Sequence, residues 1–358
     1  MNKRKVLKKL AKYYLLRNFP PYLEKEIKET LGIDLKTQYG SFSLKNPILV
    51  APGQLSIHPF QIERIYQAGY GGCVLKSVVG EDKNGNCSML SQRRKPTIIK
   101  TFYETNDKNG RFPIIHWNGR CDPRTLKEHL IFAKAIKKKR FNNFLLIGSF
   151  LCHLPIRENS FKIEEWAYTC SQLYQSGYSI AEIDFCPYLK KDNFYKGKEE
   201  ILRWYRNIPE IIKSSQPEMK IFPKLLNPQW GVQFQVEMAE AALEGGADGL
   251  VVANRIYKEE YNSGHGGEEL RLLNLKQIKA IKKSFPEVPI SATGGVYSGR
   301  HIFAYLKAGA QNVQVLSYIM GRVKEGLNRK GTKLEKVFYK LLFDERDGLI
   351  AWMIREGY

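Results

Sequence analysis

Two lysines lie at the ends of stretches that read as buried strands. Lys76 falls in the predicted strand Val74–Ser77, and Lys224 falls in Lys220–Leu225. An ammonium group without a partner is costly at such a position, so each lysine is expected to meet an anion or a strong acceptor. A side chain that reaches solvent, or an internal ion pair, explains either lysine taken alone. Two lysines at the same end of one sheet favour a bound ligand.

Glycines and a serine at two further strand ends predict an anion site. Gly294 and Gly295 follow the strand Ile290–Ala292, and Ser317 follows the strand Val313–Leu316. Glycine lacks the Cβ atom that would hold a phosphate away from backbone N–H groups, and a serine hydroxyl could add a further donor. One glycine pair alone is also explained by a turn that needs glycine. The paired arrangement favours a phosphate site, which in parallel barrels lies at the last two strands.

Cys186 is a candidate base or nucleophile. It precedes Pro187 and stands where the predicted strand Ile180–Phe185 gives way to a loop rich in Lys and Tyr. A partly exposed thiol near lysines ionises more readily than a free one. A buried structural cysteine is the ordinary alternative.

The cysteines as a group indicate no metal centre. They are scattered without a C-x-x-C pair, so neither a zinc site nor an iron–sulfur cluster is predicted, and free thiols in a reducing compartment are expected. The six are Cys73, Cys87, Cys121, Cys152, Cys170 and Cys186.

The elements that position these residues alternate between strand and helix. This order is typical of a parallel sheet covered by helices, and eight strands favour closure into a (β/α)8 TIM barrel, an α/β fold. The first strand is predicted within 46–53, and the others are Val74–Ser77, Phe144–Gly148, Ile180–Phe185, Lys220–Leu225, Gly249–Ala253, Ile290–Ala292 and Val313–Leu316. The predicted helices are Pro59–Ala68, Ile163–Ser176, Lys198–Ser214, Gln233–Glu244 and Gly299–Lys307.

Three parts are predicted along the chain. Residues 1–38 form a basic helical N-terminal extension, residues 39–325 the barrel, and residues 326–358 a helical tail. The section 79–143 is far longer than a normal connection and is expected to be a lid or a substrate loop inserted after the second strand. The extension is expected to dock on the barrel or to lie on an anionic membrane surface with its lysines at the headgroups.

Composition limits the location and the partners. The 358 residues are 43% hydrophobic and carry a formal net charge of +21. No stretch approaches the ~20 apolar residues of a membrane span, and the Lys-rich start lacks a signal peptide, so a cytoplasmic location is expected, with peripheral membrane contact as an alternative. The charge suggests a polyanionic partner, nucleic acid or a membrane, although a solvated lysine surface explains it equally well.

From Tyr39 to Glu325 the chain resembles the dihydroorotate dehydrogenase-type flavoproteins, which are FMN-binding (β/α)8 barrels. The order and spacing of several short stretches carry the resemblance. They are Leu44-Lys45-Asn46-Pro47-Ile48, Ala51-Pro52-Gly53, Ala68-Gly69-Tyr70-Gly71-Gly72 before Lys76, Cys186-Pro187, Pro223-Lys224-Leu225, Gly246-Ala247-Asp248-Gly249 before Asn254, Gly266-Gly267, Gly294-Gly295-Val296 and Ala308-Gly309-Ala310 before Ser317.

The resemblance implies FMN as cofactor and a small-molecule substrate. It implies that Cys186 is the base that removes a proton from substrate carbon while hydride passes to the flavin, with Lys76 beside the reacting ring. Substrate contacts would come from Asn254, Asp184 and Tyr188. The cofactor-binding residues would be Ala51, Gly53, Lys76, Ser77, Lys224, Asn254, Gly266, Gly267, Gly294, Gly295, Ser317 and Tyr318.

The substrate motifs depart from the family pattern. The family has Asn-x-Ser-Cys-Pro-Asn around the base, whereas this chain reads Ile183-Asp184-Phe185-Cys186-Pro187-Tyr188. The family's Asn-x-x-Gly-Leu-x-Asn loop has no counterpart, and His116-Trp117-Asn118-Gly119 is the nearest stretch. The expected activity is therefore that of an FMN-dependent oxidoreductase acting on a CH–CH bond of dihydroorotate or a related pyrimidine-like compound.

Two other functions remain as alternatives. A tRNA dihydrouridine synthase-like flavin reductase would use the positive charge for phosphate contacts, although no RNA-binding C-terminal domain is evident. A non-catalytic barrel that keeps FMN or a phosphate ligand is the other. Nucleic acid is thus a less favoured partner, and a homo-oligomer is compatible with the sequence.

Overall fold

The computed structural model describes residues 2–94, 97–106, 110–118, 121–152, 162–185, 198–228, 230–321 and 329–358. Its strands are β1 (Thr37–Tyr39), β2 (Phe42–Leu44), β3 (Ile48–Val50), β4 (Gly72–Val74), β5 (Val78–Val79), β6 (Ile98–Asn106), β7 (Gly110–Asn118), β8 (Leu145–Cys152), β9 (Ile180–Phe185), β10 (Lys220–Pro223), β11 (Leu250–Val252), β12 (Ile256–Lys258), β13 (Ser263–Gly266), β14 (Ile290–Thr293) and β15 (Asn312–Val315). Its α-helices are Lys3–Tyr14, Leu23–Leu31, Pro59–Gln67, Leu90–Arg94, Leu126–Lys137, Ile163–Gln175, Lys198–Ser215, Val232–Glu244, Glu268–Ser284, Gly299–Lys307, Ser317–Met320, Lys333–Phe343 and Leu349–Arg355.

Within the described ranges, eight parallel strands form a nearly closed barrel. Their order around the wall is β10, β9, β8, β4, β3, β15, β14 and β11. The circle is completed by a parallel bridge between Lys224 and Val251, where the Leu225 N–H donates to Val251 O at 3.0 Å. The (β/α)8 prediction is confirmed, although the second barrel strand, predicted at Val74–Ser77, lies at Gly72–Val74.

The outer helices are held by apolar stripes at helical spacing. The helix Lys198–Ser215 buries Ile201, Trp204, Ile208 and Ile212 against the barrel. Burial of each such side chain contributes about 1.5–3 kcal/mol relative to exposure. This packing fixes the direction in which each following strand enters the wall.

A small hairpin closes the bottom of the barrel. Strands β1 and β2 pair in antiparallel fashion. The ring of Tyr39 is fully buried and lies 4.7 Å, centroid to centroid, from the ring of Phe222. The barrel interior is therefore sealed from below by an aromatic pair.

The long section after the second barrel strand contains both an insertion and a barrel helix. Strands β6 and β7 form an antiparallel hairpin, and β7 pairs with β13, so a four-stranded sheet in the order β12, β13, β7, β6 lies at the mouth. The helix Leu126–Lys137 lies beside the outer helices Pro59–Gln67 and Ile163–Gln175. It takes the position of an ordinary barrel helix, so the inserted part of 79–143 ends before it.

The N-terminal helices pack on the C-terminal ones. Leu7, Leu10 and Tyr14 are buried, and the Tyr14 ring lies 5.5 Å from that of Phe343. The buried guanidinium of Arg329 donates to the Tyr14 carbonyl and lies 4.0 Å over the Phe19 ring. The apolar face of the extension is thus covered by the chain itself. In the described part of the chain, no helix is both long enough and apolar enough to span a membrane.

Candidate active site

A cleft opens at the carboxyl ends of the barrel strands. It holds about 540 Å³ of space free of protein atoms, part of it open to solvent. Seven of the residues predicted to bind a cofactor line it: Ala51, Lys224, Asn254, Gly266, Gly294, Gly295 and Ser317. The fold therefore brings together side chains and turns from strands distant in sequence.

The Gly294-Gly295 turn forms one wall of the cleft. Both residues have positive φ angles, 97° and 62°, which favour glycine. A Cβ atom at Gly295 would lie 2.7 Å from Cβ of Arg271 and 2.8 Å from the Gly267 carbonyl oxygen. The turn is therefore packed against the first turn of the helix Glu268–Ser284, and a larger residue would not fit without displacing backbone.

The start of that helix supplies backbone donors to the same wall. Gly267 is its N-cap residue and makes no side-chain cap, so no side chain occupies the first N–H groups. N–H groups at a helix N-terminus attract anions. Glu268 opposes this charge, although it is paired with Arg271 at 2.8 Å.

Ser317 and Gly266 close the other side. A Cβ atom at Gly266 would lie 3.4 Å from Oγ of Ser317, which begins the short helix Ser317–Met320. That helix lies against β7 of the insertion. Tyr318 follows in the same helix, and its ring packs on that of Tyr297 at 5.8 Å rather than lining the cleft. The glycines 266, 294 and 295 with Ser317 thus form a cradle, which we call the anion cradle.

The floor is formed by small residues next to tight contacts. Ala51 is 6% exposed and lies in the cleft wall. A Cβ atom at Gly53 would lie 2.6 Å from Cδ2 of Leu316, so glycine allows the loop after β3 to cross the end of β15.

Both predicted lysines are buried at the mouth. Lys76 is 6% exposed and Lys224 is 7% exposed. Burial lowers the pKa of Lys76, while Cys121 and Asp184 nearby raise it. Lys224 lines the cleft, whereas Lys76 lies behind the lining residues with Ser77.

Asp184 connects the ends of three strands. Its carboxylate accepts a hydrogen bond from Ser77 Oγ at 3.1 Å and one from Asn254 Nδ2 at 3.4 Å. The Asn254 amide also donates to the Phe185 carbonyl at 2.7 Å, and its Oδ1 accepts from the Arg255 N–H at 2.9 Å. The orientation of Asn254 is therefore fixed, and Asp184 lies beside it at the ends of the strands.

Sequence reasoning gave Arg255 no role, yet it lines the cleft. Its aliphatic stem passes 3.6 Å from the point where a Gly266 Cβ would lie. Its charge also lies close enough to Lys76 to lower the pKa of that lysine. A basic residue directly after the predicted strand-end Asn254 was the available signal.

Other predicted residues lie elsewhere. Cys186 and Tyr188 fall outside the described residues. His116, in the stretch nearest to the family's substrate loop, is buried in the sheet at the mouth, where its Nε2 lies 3.3 Å from Nδ1 of His265.

The fold and the cleft define a (β/α)8 barrel with an anion cradle and buried cations at its catalytic face. No protein-family model matches the chain. It is similar to the catalytic subunit of dihydroorotate dehydrogenase B (NAD(+)) from Pyrococcus horikoshii, with 21% identity over 90% of this chain and 94% of the relative. The corresponding subunit of Methanocaldococcus jannaschii is 24% identical over 80% of this chain and 88% of its own length. The chain is thus a distant relative of these two catalytic subunits.

Proposed function

We propose that the chain is an FMN-dependent oxidoreductase acting on a CH–CH bond of dihydroorotate or a related pyrimidine-like compound. The observation that carries this proposal is the meeting of the anion cradle with Lys224 and Asn254 in one cleft. The distant dehydrogenase relatives, which extend over most of the chain, support the same class of reaction.

The hydrogen-bond donors and glycines of the cleft support FMN as its ligand. The cradle offers a phosphate the backbone of Gly294 and Gly295, which a Cβ atom would block, and the hydroxyl of Ser317. Ala51 and Gly53 leave a flat floor for the ring. When bound, FMN would supply the acceptor for a hydride from substrate carbon.

The residues of the chain would do the remaining work. Lys224, which lines the cleft, would stabilise negative charge on a bound flavin, and the charge of Lys76 nearby would add to this effect. The burial of both lysines makes this stabilisation stronger than it would be in water. Asn254 and Asp184 hold the substrate by hydrogen bonds in an orientation that their own contacts already fix. Cys186 takes the substrate proton; this role comes from the family resemblance.

Arg255 extends this scheme. With Lys76 and Lys224 it makes three cations close to the carboxylate of Asp184, while Glu268 at the cleft wall is paired with Arg271. This balance favours a substrate that carries a negative charge.

The test is the visible spectrum of the purified protein, recorded anaerobically before and after addition of dihydroorotate. Flavin bands that bleach are the expected result. Bands that persist would leave a flavin barrel with another substrate, which uracil-type compounds and tRNA added in turn would identify. Protein that carries no flavin and takes up none on titration would overturn the proposal and favour a non-catalytic barrel.

A further inference from the structure

Glu182 is an ionisable group buried inside the barrel beneath the cleft. It lies on β9 and is 1% exposed. Its Oε1 accepts hydrogen bonds from the Tyr39 hydroxyl at 2.7 Å and from Nε2 of Gln314. Its Oε2 has no hydrogen-bond partner among the described residues. A carboxylate so placed retains one unsatisfied oxygen in a dry interior, which is costly unless a charge or a proton compensates it.

The compensating charge is Lys224, which also faces the ligand. Lys224 is the cation that most favours the ionised form of Glu182, and Lys224 and Gln314 both line the cleft. Glu182 does not line the cleft, but it interacts with two residues that do. Gln314 donates a hydrogen bond to it, and Lys224 acts on it through its charge.

The other titratable groups around Glu182 come from the neighbouring strands. Tyr39 of the bottom hairpin donates to it, while Asp184 on the same strand and Cys73 on β4 lie near enough to interact through their charges. Burial raises the pKa of Glu182 to about 7, against the opposing effects of Lys224, Tyr39 and Gln314. Glu182 therefore gains or loses its proton close to neutral pH. A change of charge beside Lys224 would shift that protonation equilibrium.

We propose that Glu182 is a positioning residue that takes up one proton when negative charge develops beside Lys224 in the cleft. The charge of Lys224 is shared between Glu182 below and the ligand above. When the ligand becomes more negative, the lysine is drawn to it, and Glu182 loses the cation that kept it ionised. An O–H bond then forms on Glu182 with a proton from water, so the barrel core remains neutral.

This role of Glu182 rests on the proposed function. A proton on Glu182 would balance the negative charge that reduction of a bound flavin places in the cleft. A bound FMN would accept a hydride, which is two electrons and one proton, while the base takes the other substrate proton. One more negative charge would then lie in the cleft, and the proton on Glu182 would offset it. Two protons are thus taken up for every two electrons, one by the flavin and one by Glu182.

The test measures how the reduction potential of bound flavin depends on pH, in the parent and in Glu182→Gln. The substitution keeps the shape and removes the titration. In the parent, Glu182 is protonated in both states well below pH 7 and is ionised in both states well above its raised pKa, so the second proton is linked to reduction only in a range that begins at about pH 7. There the slope is expected to correspond to two protons per two electrons, and in Glu182→Gln to one.

Tyr39→Phe provides a second measurement and covers the case in which Glu182→Gln does not fold. Loss of the hydroxyl donor disfavours the ionised carboxylate, so the two-proton region should begin about one pH unit higher. This inference alone would be overturned if the reduction potential of bound flavin had the same pH dependence in the parent and in Glu182→Gln. It would also be overturned if the pH range of two-proton uptake were the same in Tyr39→Phe as in the parent. Absence of flavin binding by the parent would overturn the proposed function as well.

Discussion

The hydroxyl of Ser77 donates a hydrogen bond of 3.1 Å to Oδ2 of Asp184, although 107 positions separate them in the chain. Ser77 Oγ also lies 2.9 Å from Ser149 Oγ. These contacts join the ends of three neighbouring barrel strands across the mouth. They hold the carboxylate of Asp184 beside Asn254, which is the arrangement on which substrate orientation would depend.

Asp184 should affect substrate use more than flavin binding. We expect Asp184→Ala to lower the rate of flavin reduction by dihydroorotate at least about tenfold, because a hydrogen bond to a charged group contributes about 1.5–3 kcal/mol. Asp184→Asn, which keeps an acceptor for Ser77, should retain more activity. Stopped-flow absorbance of the bound flavin checks both. Equal rates in all three proteins would remove Asp184 from the site.

Two lysines on one strand allow a matched comparison. Lys224 follows β10 at the mouth, whereas Lys220 begins it at the bottom and pairs with Asp248 at 2.9 Å. We expect Lys224→Met to lower the reduction potential of bound flavin, because the cation no longer stabilises the reduced ring. Lys220→Met should leave the potential unchanged. A potential that both variants shift alike would indicate a general effect of net charge.

Gly295 should be required for phosphate binding. In Gly295→Ala the new Cβ meets Arg271 and the Gly267 carbonyl, so we expect FMN affinity to fall at least about tenfold, a loss of about 1.4 kcal/mol. Gly85→Ala is the control, since Gly85 has a φ of 82° but open space around it. Fluorescence titration of the flavin-free proteins with FMN measures both. Unchanged affinity in Gly295→Ala would argue against the cradle.

Asp122 should contribute a pH-dependent part of the stability. Burial alone would raise its pKa, but hydrogen bonds from His129 and Arg124 lower it to about 2. A carboxyl group with a lowered folded-state pKa stabilises the fold above its unfolded value of about 3.9, and this is lost as pH falls toward 2. We expect the free energy of unfolding of Asp122→Asn, measured with urea at pH 7, to be on the order of 2 kcal/mol lower than that of the parent. This difference between the two proteins should shrink below pH 4. A constant difference would contradict this linkage.

Cys186→Ala should keep bound flavin and slow its reduction by substrate by roughly 100-fold, the usual effect of losing a general base. Cys170→Ala, a thiol buried under the outer helix Ile163–Gln175, is the control. Rapid-mixing absorbance measures the rates. Cys121 lies near Lys76. A loss seen in Cys121→Ala instead of Cys186→Ala would reassign the base.

Repeating patterns made the fold predictable. The strand Ile180–Phe185 and the helix Gly299–Lys307 have the predicted bounds, because apolar runs and glycine breaks mark them clearly. The helix Leu126–Lys137 was predicted as part of the insertion, although Thr125 and Glu128 form a capping box at its start that could have identified it. The helix Glu268–Ser284 was missed, since charged residues interrupt its apolar stripe.

The candidate site was less predictable than the fold. Gly294 and Ser317 could be named because strand ends of a parallel barrel meet at one face. Arg255 carries the same strand-end signal but was not selected, whereas Gln314 could not be selected because its place in the cleft depends on how the strands are staggered around the wall. Glu182 stands within an apolar strand, and only the closed barrel brings Tyr39 and Lys224 to it from opposite ends.

The barrel wall has the fewest paired positions where β10 meets β11. One paired position, Lys224 with Val251, and three backbone hydrogen bonds join them, whereas β8 and β9 share five paired positions. The Asn254 N–H crosses this seam to the Leu225 carbonyl at 2.8 Å. Local opening should therefore begin here, and amide hydrogen exchange at Leu225 and Asn254 should be the fastest in the barrel wall. A ligand held by Lys224 and Asn254 from both sides would fasten the seam, so slowed exchange at these two amides would report occupancy without any colour change or turnover.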